Sequence, residues 1–267
     1  MKLCYSTLGC PDWSLNDILA NSKDLGFDGV EIRGIGNELY IPNIKVFSAE
    51  NADATKEKLR RLGLTIPVFT SACYLHKDEN SAQEGKAYID TAKRMDVPYV
   101  RVLGDTSGAP GENVDVHIVK ENLTVLDAYA KGSGVTLLLE TNGIFADSGF
   151  MKAFLEENQF ENVAVLWDIH HPFSYFGEAP EVTYGNLKPY IRHVHVKDSV
   201  MRDGKAEYCF LGKGDVPVKE CLALLKQDGY DGFFSLEWLK RWQSKLEHGS
   251  VVFAQYKYYM DEMMKKL

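Results

Sequence analysis

Lys131-Gly-Ser-Gly-Val-Thr-Leu-Leu-Leu-Glu140 holds the unit from which the chain is built. A helical stretch stops, glycines follow where the left-handed cap conformation is unstrained for them alone, and a β-branched and apolar run ends in a carboxylate. The same grammar recurs in Arg61-Leu-Gly-Leu-Thr-Ile-Pro-Val68. Asp24-Leu-Gly-Phe-Asp-Gly-Val-Glu-Ile-Arg33 and Gln227-Asp-Gly-Tyr-Asp-Gly-Phe-Phe-Ser-Leu-Glu-Trp238 echo each other from opposite ends of the chain. Working outward, strands are expected at 3–6, 29–32, 66–70, 99–103, 136–140, 164–168, 193–196 and 233–237. Helical patterns fill the gaps at 15–24, capped by Ser14, and at 52–62, 82–95, 116–131, 150–158, 184–190 and 218–227. A last helix at 251–266 has no strand after it. Runs such as Val135-Thr-Leu-Leu-Leu139 and Val163-Ala-Val-Leu-Trp167 are almost continuously apolar, as parallel strands covered on both faces must be. Eight such units in about 250 residues is the arithmetic of a (β/α)8 barrel with an extra C-terminal helix. A doubly wound open sheet is the alternative, against which no Gly-x-Gly-x-x-Gly follows the first strand. No linker or low-complexity tract divides the chain, so residues 1–267 read as one barrel domain.

Composition narrows the function. With 45% apolar residues the chain has enough material for a large core, and a formal net charge of −8 leaves no basic field to hold a phosphate backbone. Nucleic acid is therefore not the expected partner. Cys4, Cys10, Cys73, Cys209 and Cys221 are odd in number, scattered, and form no Cys-x-x-Cys, which suits a reducing compartment. No apolar run approaches the roughly 20 residues that cross a bilayer. A soluble, cytoplasmic protein is expected.

Four successive strands end in a titratable side chain: Leu139-Glu140-Thr-Asn142, Trp167-Asp168-Ile-His-His171, His193-Val-His195-Val-Lys197-Asp198 and Ser235-Leu-Glu237-Trp238. In a parallel barrel these ends share one rim, so Glu140, Asp168, His195 and Glu237 are expected to converge. Three carboxylates gathered in an apolar barrel repel one another unless a cation neutralises them. One divalent metal ion answers that need. An oxygen-rich set with one imidazole favours Mn²⁺, Mg²⁺ or Co²⁺, with Zn²⁺ also compatible. Such an ion polarises a hydroxy-ketone and stabilises the enediolate left by removal of the adjacent proton, with Glu140 and Glu237 as base and acid. Taken singly, Glu140 and Glu237 read as solvated loop carboxylates, and Asp168 as a turn cap. His193 and His195 face the same side of their strand, so the residues alone allow either as ligand.

These strand ends, with Ser6-Thr-Leu-Gly-Cys-Pro-Asp-Trp13 at the start of the chain, resemble the xylose-isomerase-like sugar isomerase/epimerase superfamily over essentially the whole length. The resemblance implies a (β/α)8 fold and one divalent metal held by Glu140, Asp168, His195 and Glu237. In the ketose epimerase branch the residues matching Glu140 and Glu237 exchange the proton, and the histidine of Asp-x-x-His, here His171, contacts a substrate oxygen. The run His193-Val-His195-Val-Lys197-Asp198 is most similar to the inosose isomerase and dehydratase branches. Phe210-Leu-Gly-Lys-Gly-Asp215 resembles the family's glycine-rich loop, whose amides are expected to bind a substrate oxyanion. Arg202 resembles a substrate-contacting arginine after strand seven, with a solvated loop arginine as the alternative. Lys197 shares the strand face of His195 and reads as a substrate contact or a solvated lysine. Glu31 and Arg33 read as pocket-lining residues or as a structural pair, and Trp13 as a sugar-stacking ring or a packed loop residue.

The expected activity is a metal-dependent isomerase or epimerase of a small keto-sugar or cyclic polyol ketone. Alternatives are a dehydratase of the inosose or 3-dehydroshikimate type, a non-catalytic sugar-binding relative and, disfavoured, an abasic-site endonuclease. The endonuclease branch needs an Asp-x-His where this chain reads Lys205-Ala-Glu-Tyr208. A homo-oligomer built through the last helix or the loop at 107–113 is an open expectation.

Overall fold

The apolar runs of the sequence become parallel strands in a computed structural model that describes residues 1–78 and 80–267. They are β1 (Lys2–Tyr5), β2 (Val68–Tyr74), β3 (Tyr99–Leu103), β4 (Thr136–Glu140), β5 (Val163–Asp168), β6 (Ile191–Val196) and, after a separate antiparallel hairpin of β7 (Asp198–Arg202) and β8 (Lys205–Cys209), β9 (Phe233–Leu236). The main sheet runs β1-β9-β6-β5-β4-β3-β2 with every neighbour parallel. Residues 29–32 close the wall between β1 and β2. They do so through single parallel bridges, Ser6 to Glu31, Gly29 to Thr65 and Ile32 to Phe69, rather than as a full strand. Glycine is required at position 29, because a Cβ there would lie 2.5 Å from the Thr65 carbonyl oxygen. The result is an eight-staved barrel, the (β/α)8 architecture expected.

Around it lie α1 (Leu15–Asp24), α2 (Ala52–Leu62), α3 (Asn80–Arg94), α4 (Val116–Ala130), α5 (Ser148–Asn158), α6 (His170–Phe176), α7 (Pro180–Leu187), α8 (Val218–Gln227) and α9 (Gly249–Lys266). Ser14 starts α1 through a reciprocal capping box with Asp17. α9, which no strand follows, supplies the helix of the eighth unit. Phe253 of α9 stacks on Tyr5 with ring centroids 3.8 Å apart, and the Tyr256 hydroxyl donates to the Phe234 carbonyl at 2.8 Å. Among the described residues no helix is long and apolar enough to cross a membrane.

Two local readings shift. The helix expected at 184–190 lies at Pro180–Leu187, because Pro180 pre-sets the first turn, and α6 precedes it with Pro172 tolerated in its own first turn. The β7–β8 hairpin was not expected, yet Asp203 (φ 47°) and Gly204 (φ 74°) form the doubly left-handed Asp-Gly turn that matches hairpin twist.

Strand period decides what reaches the site. Leu137, Leu139, Val165, Trp167, Val194 and Phe234 point out toward the helices and join the main core. Val68, Leu138, Ala164 and Leu166 point inward and form a small separate cluster at the barrel floor. Two residues farther along the same faces stand Thr70, Glu140 and Asp168, so the interior changes from apolar to ionic in one step. Removing the Phe253 ring should cost about 3–5 kcal/mol. Denaturant unfolding of F253A measures this; a loss below about 1 kcal/mol would show α9 to be outside the cooperative barrel.

Candidate metal and substrate site at the C-terminal rim

Glu140 and Asp168 are the last residues of β4 and β5, His195 is next to last in β6, and Glu237 follows β9. All four are buried, and one ligand atom from each lies within 4.8 Å of the others. His195 Nδ1 faces Glu140 Oε1 at 3.7 Å, Asp168 Oδ2 at 3.7 Å and Glu237 Oε1 at 3.6 Å. Its other nitrogen, Nε2, meets Glu31 Oε2 at 2.9 Å. A carboxylate there keeps the imidazole proton on Nε2 and turns the Nδ1 lone pair toward the three carboxylates. That Nδ1 is buried with no hydrogen-bond partner among the described residues.

The electrostatics call for positive charge at this point. Burial pulls the His195 pKa down, but Glu31 and Glu237 raise it well above its ordinary value. A proton on Nδ1 is nevertheless a poor counterion, because 3.6–3.7 Å is too long for a hydrogen bond to any of the three carboxylates. An ion at the centre would touch all four atoms. One nitrogen with three carboxylate oxygens fits a divalent cation of the Mn²⁺, Mg²⁺, Co²⁺ or Zn²⁺ type. Burial pushes the Glu140 carboxyl up, yet the Arg101 guanidinium 2.9 Å away brings it down to about 2. Asp168 is pushed up by burial and held well below its usual range by His171 and Lys197. The Lys197 ammonium is itself buried, 2.5 Å from Asp168 Oδ2 and hydrogen-bonded to Glu237 Oε2.

Above these groups lies a cavity of about 190 Å³. His171 lines it, with Nδ1 3.0 Å from the Thr141 carbonyl, which leaves Nε2 toward the interior. Donation from Nδ1–H to that carbonyl would make Nε2 an acceptor for a substrate hydroxyl. The loop after β3 is tied down by Asp105, whose carboxylate accepts from the amides of Thr106, Gly111 and Ile144. Gly108 of this loop presses against His171: a Cβ there would sit 2.7 Å from Nε2. Thr106, Ser107 and Gly108 thus form part of the cavity wall.

The expected substrate contacts divide. Lys197 and His171 line the cavity, as does Arg33. Glu31 does not; it lies beneath His195, where its Oε2 is also 3.0 Å from His193 Nε2. Trp13 is outside the cavity lining, packed on Phe253 and His248 at ring separations of 5.7 and 5.9 Å. Its loop continues into α1, which turns the ring toward α9. Arg202 stands on the exposed end of the hairpin, bonded to Glu207 at 2.9 Å. The glycine-rich loop also departs from expectation, because the amides of Gly212, Gly214 and Val216 already donate to the Asp198 carboxylate at 2.9, 2.9 and 3.2 Å. They have no capacity left for a substrate oxyanion.

Arg101, Asn142, Tyr74, Tyr175, Tyr208 and Trp242 line the cavity without having been singled out in the sequence. Arg101 had a signal: it is a lone charge at an inward position of the apolar strand Tyr99-Val-Arg-Val-Leu103. Asn142 lies two residues past Glu140 and buries an Oδ1 without a partner among the described residues. Removing the Asp198 acceptor should cost at least about 2 kcal/mol, since its charge-assisted bonds hold a whole loop. Urea unfolding of D198A tests it, and an unchanged midpoint would show that the loop holds itself.

The profile of a family described as xylose isomerase-like TIM barrel matches residues 19–254. A fructoselysine 3-epimerase of Shigella flexneri is 25% identical over 253 residues, covering 89% of this chain and 90% of that protein. Among solved structures, the IOLI protein with a bound zinc atom superposes with a TM-score of 0.78 at 19% identity, covering 100% of this chain and 99% of that one. A probable 3-DHS dehydratase from Bacillus anthracis superposes at 0.75 with 17% identity, covering 98% and 99%. At such identities the structural matches speak for the fold.

Proposed function

The chain belongs to the xylose isomerase-like TIM-barrel family, and from that premise we propose that it is a divalent-metal-dependent epimerase or isomerase of a small polyhydroxy ketone. The observation that carries the reading is the orphaned Nδ1 of His195, aimed at three carboxylate oxygens of Glu140, Asp168 and Glu237. A sugar substrate is supported by the fructoselysine 3-epimerase relative, and a compact one by a cavity of about 190 Å³, below the roughly 300–1,000 Å³ of drug-sized sites. The net charge of −8 supports a small carbohydrate over nucleic acid. Five unpaired cysteines, four of them buried, support a reducing, cytoplasmic setting.

A divalent ion in the four-residue cluster, with Mn²⁺ our first choice, supplies Lewis acidity toward vicinal substrate oxygens. The protein's own groups do the proton work. Glu140, kept ionised by Arg101, takes the proton beside the ketone from one side. Glu237, just past β9 and three strands from β4 with β5 and β6 between, returns one from the other side. His171 and Asn142 offer acceptors that orient hydroxyls, and Glu31 holds the His195 ring in its tautomer. A second reading, loss of a β-hydroxyl from the same enediolate, is favoured by one feature: the Lys197 ammonium in the cavity wall, a fixed positive charge that would stabilise a departing hydroxide. Mass spectrometry separates the two, since only dehydration removes 18 mass units from the product, on the order of one water.

Chelation should lower both the melting temperature and activity, and Mn²⁺ or Co²⁺ should restore them. E31Q, which leaves the four ligands intact, should weaken metal binding by about 10–100-fold in a calorimetric titration. Metal affinity equal to wild type would remove Glu31 from this role. E140Q and E237Q should each slow exchange of the substrate α-proton with D₂O by about 10²–10⁴-fold while the protein stays folded. Wild-type exchange in either variant overturns the acid/base pair.

A further inference from the structure

The rim is divided electrically. Glu140, Asp168, His195 and Glu237 come from β4, β5, β6 and β9, one half of the wall. The other half, residues past the 29–32 segment together with β2 and β3, sends Arg33, Tyr74 and Arg101 into the same cavity. Both arginines are nearly sealed from bulk water, at 6% and 5% exposure. A guanidinium carries five N–H donors and does not shed its charge, so burying one without an anion is costly. Arg101 spends Nη1 on Glu140, but its Nε is buried with no partner among the described residues. Arg33 has Nη1 on the Leu39 carbonyl at 3.2 Å, and among the described residues no carboxylate oxygen lies within 4.0 Å of it. Glu84, whose field reaches Arg33, sits beyond that distance. Burial first, and then repulsion from Arg101, push the Arg33 pKa down, as expected of a buried guanidinium beside a second cation and with no carboxylate in contact. Lys197 cannot relieve them, being a cation engaged with Asp168 and Glu237.

Resting on the reading of this cavity as a polyhydroxy-ketone site, we propose that the substrate is an anion. Its ketone and hydroxyl oxygens face the carboxylate half, and a carboxylate or phosphate at the far end of the molecule lies between Arg33 and Arg101. Either group presents paired oxygens that match a guanidinium fork, and either supplies the counterion that Arg33 lacks while leaving Arg101 its bond to Glu140. The same division of the rim fixes orientation, because a reversed substrate would set its anionic group against Glu140 and Glu237.

Three ketohexoses that differ only at carbon six test this: fructose, with a neutral hydroxymethyl; fructuronate, with a carboxylate; and fructose 6-phosphate. Calorimetric titration of the Mn²⁺-loaded protein should show one of the two anions binding at least about tenfold more tightly than fructose, and the better of them identifies the group. R33M should lower the affinity for that anion by about tenfold or more while lowering that for fructose by less. R33K, which keeps the charge but not the fork, should retain part of the preference and serves if R33M does not fold. Equal binding of all three, binding of none, or a loss common to all three in the variants overturns the proposal. Deuterium uptake into a ketose without any anion preference would sink this inference alone. Anion preference without proton exchange would leave the arginine cradle standing and sink the proton-transfer reading instead.

Discussion

A single buried carboxylate, Glu31, joins the closing segment of the barrel to the strand opposite. Its backbone is part of the thinnest stretch of wall, where the amide bonds to the Tyr5 carbonyl at 2.9 Å and the carbonyl accepts from the Thr7 amide at 3.0 Å. Its side chain crosses the interior to His193 and His195 of β6. Burial would push the carboxyl up, but His195 and His193 hold it well below the usual carboxylate range. A charge enclosed so fully is tolerated only with such partners, and losing one partner of a buried pair typically costs about 3–5 kcal/mol. The same contact therefore anchors the wall where bridges are fewest and sets which nitrogen His195 offers to its neighbours. Fold and site share one interaction.

Around that contact the period of the strands does the sorting. Leu138 and Glu140 share a face, as do Leu166 and Asp168, so an apolar floor and an ionic rim come from the same strands two residues apart. Arg101 stands on the equivalent face of β3 and couples the two halves of the rim through its bond to Glu140.

Local chemistry explains what could be read from the chain. The bounds of α1, α2, α8, β3 and β4 follow directly from caps, glycines and apolar runs. The four rim side chains were legible because each ends a strand, and ends of parallel strands lie together. Glu31 stays divided between a pocket-lining and a structural reading because its partners lie on a strand distant in sequence, and nothing near residue 31 announces them. The glycine-rich loop misled for a related reason: Asp198 follows Lys197 but points to the opposite side, where it takes the amides first. Arg202 sits in a run whose Asp203-Gly204 turn, once recognised, carries it away from the rim. The single bridges at 29–32 show the limit of pattern reading, since a strand-like sequence need not pair continuously.

The close fit of Gly108 against His171 has an evolutionary consequence. Any side chain at that position would collide with an imidazole whose own Nδ1 is pinned to Thr141. Descendants of this protein that change diet cannot do so by trimming or filling that side of the chamber. Selection is left with the opposite lip, where Trp242 stands more than half exposed and Leu239 beside it borders the opening. Divergence in preference should accumulate there, in the stretch after β9, while the Gly108 side stays fixed.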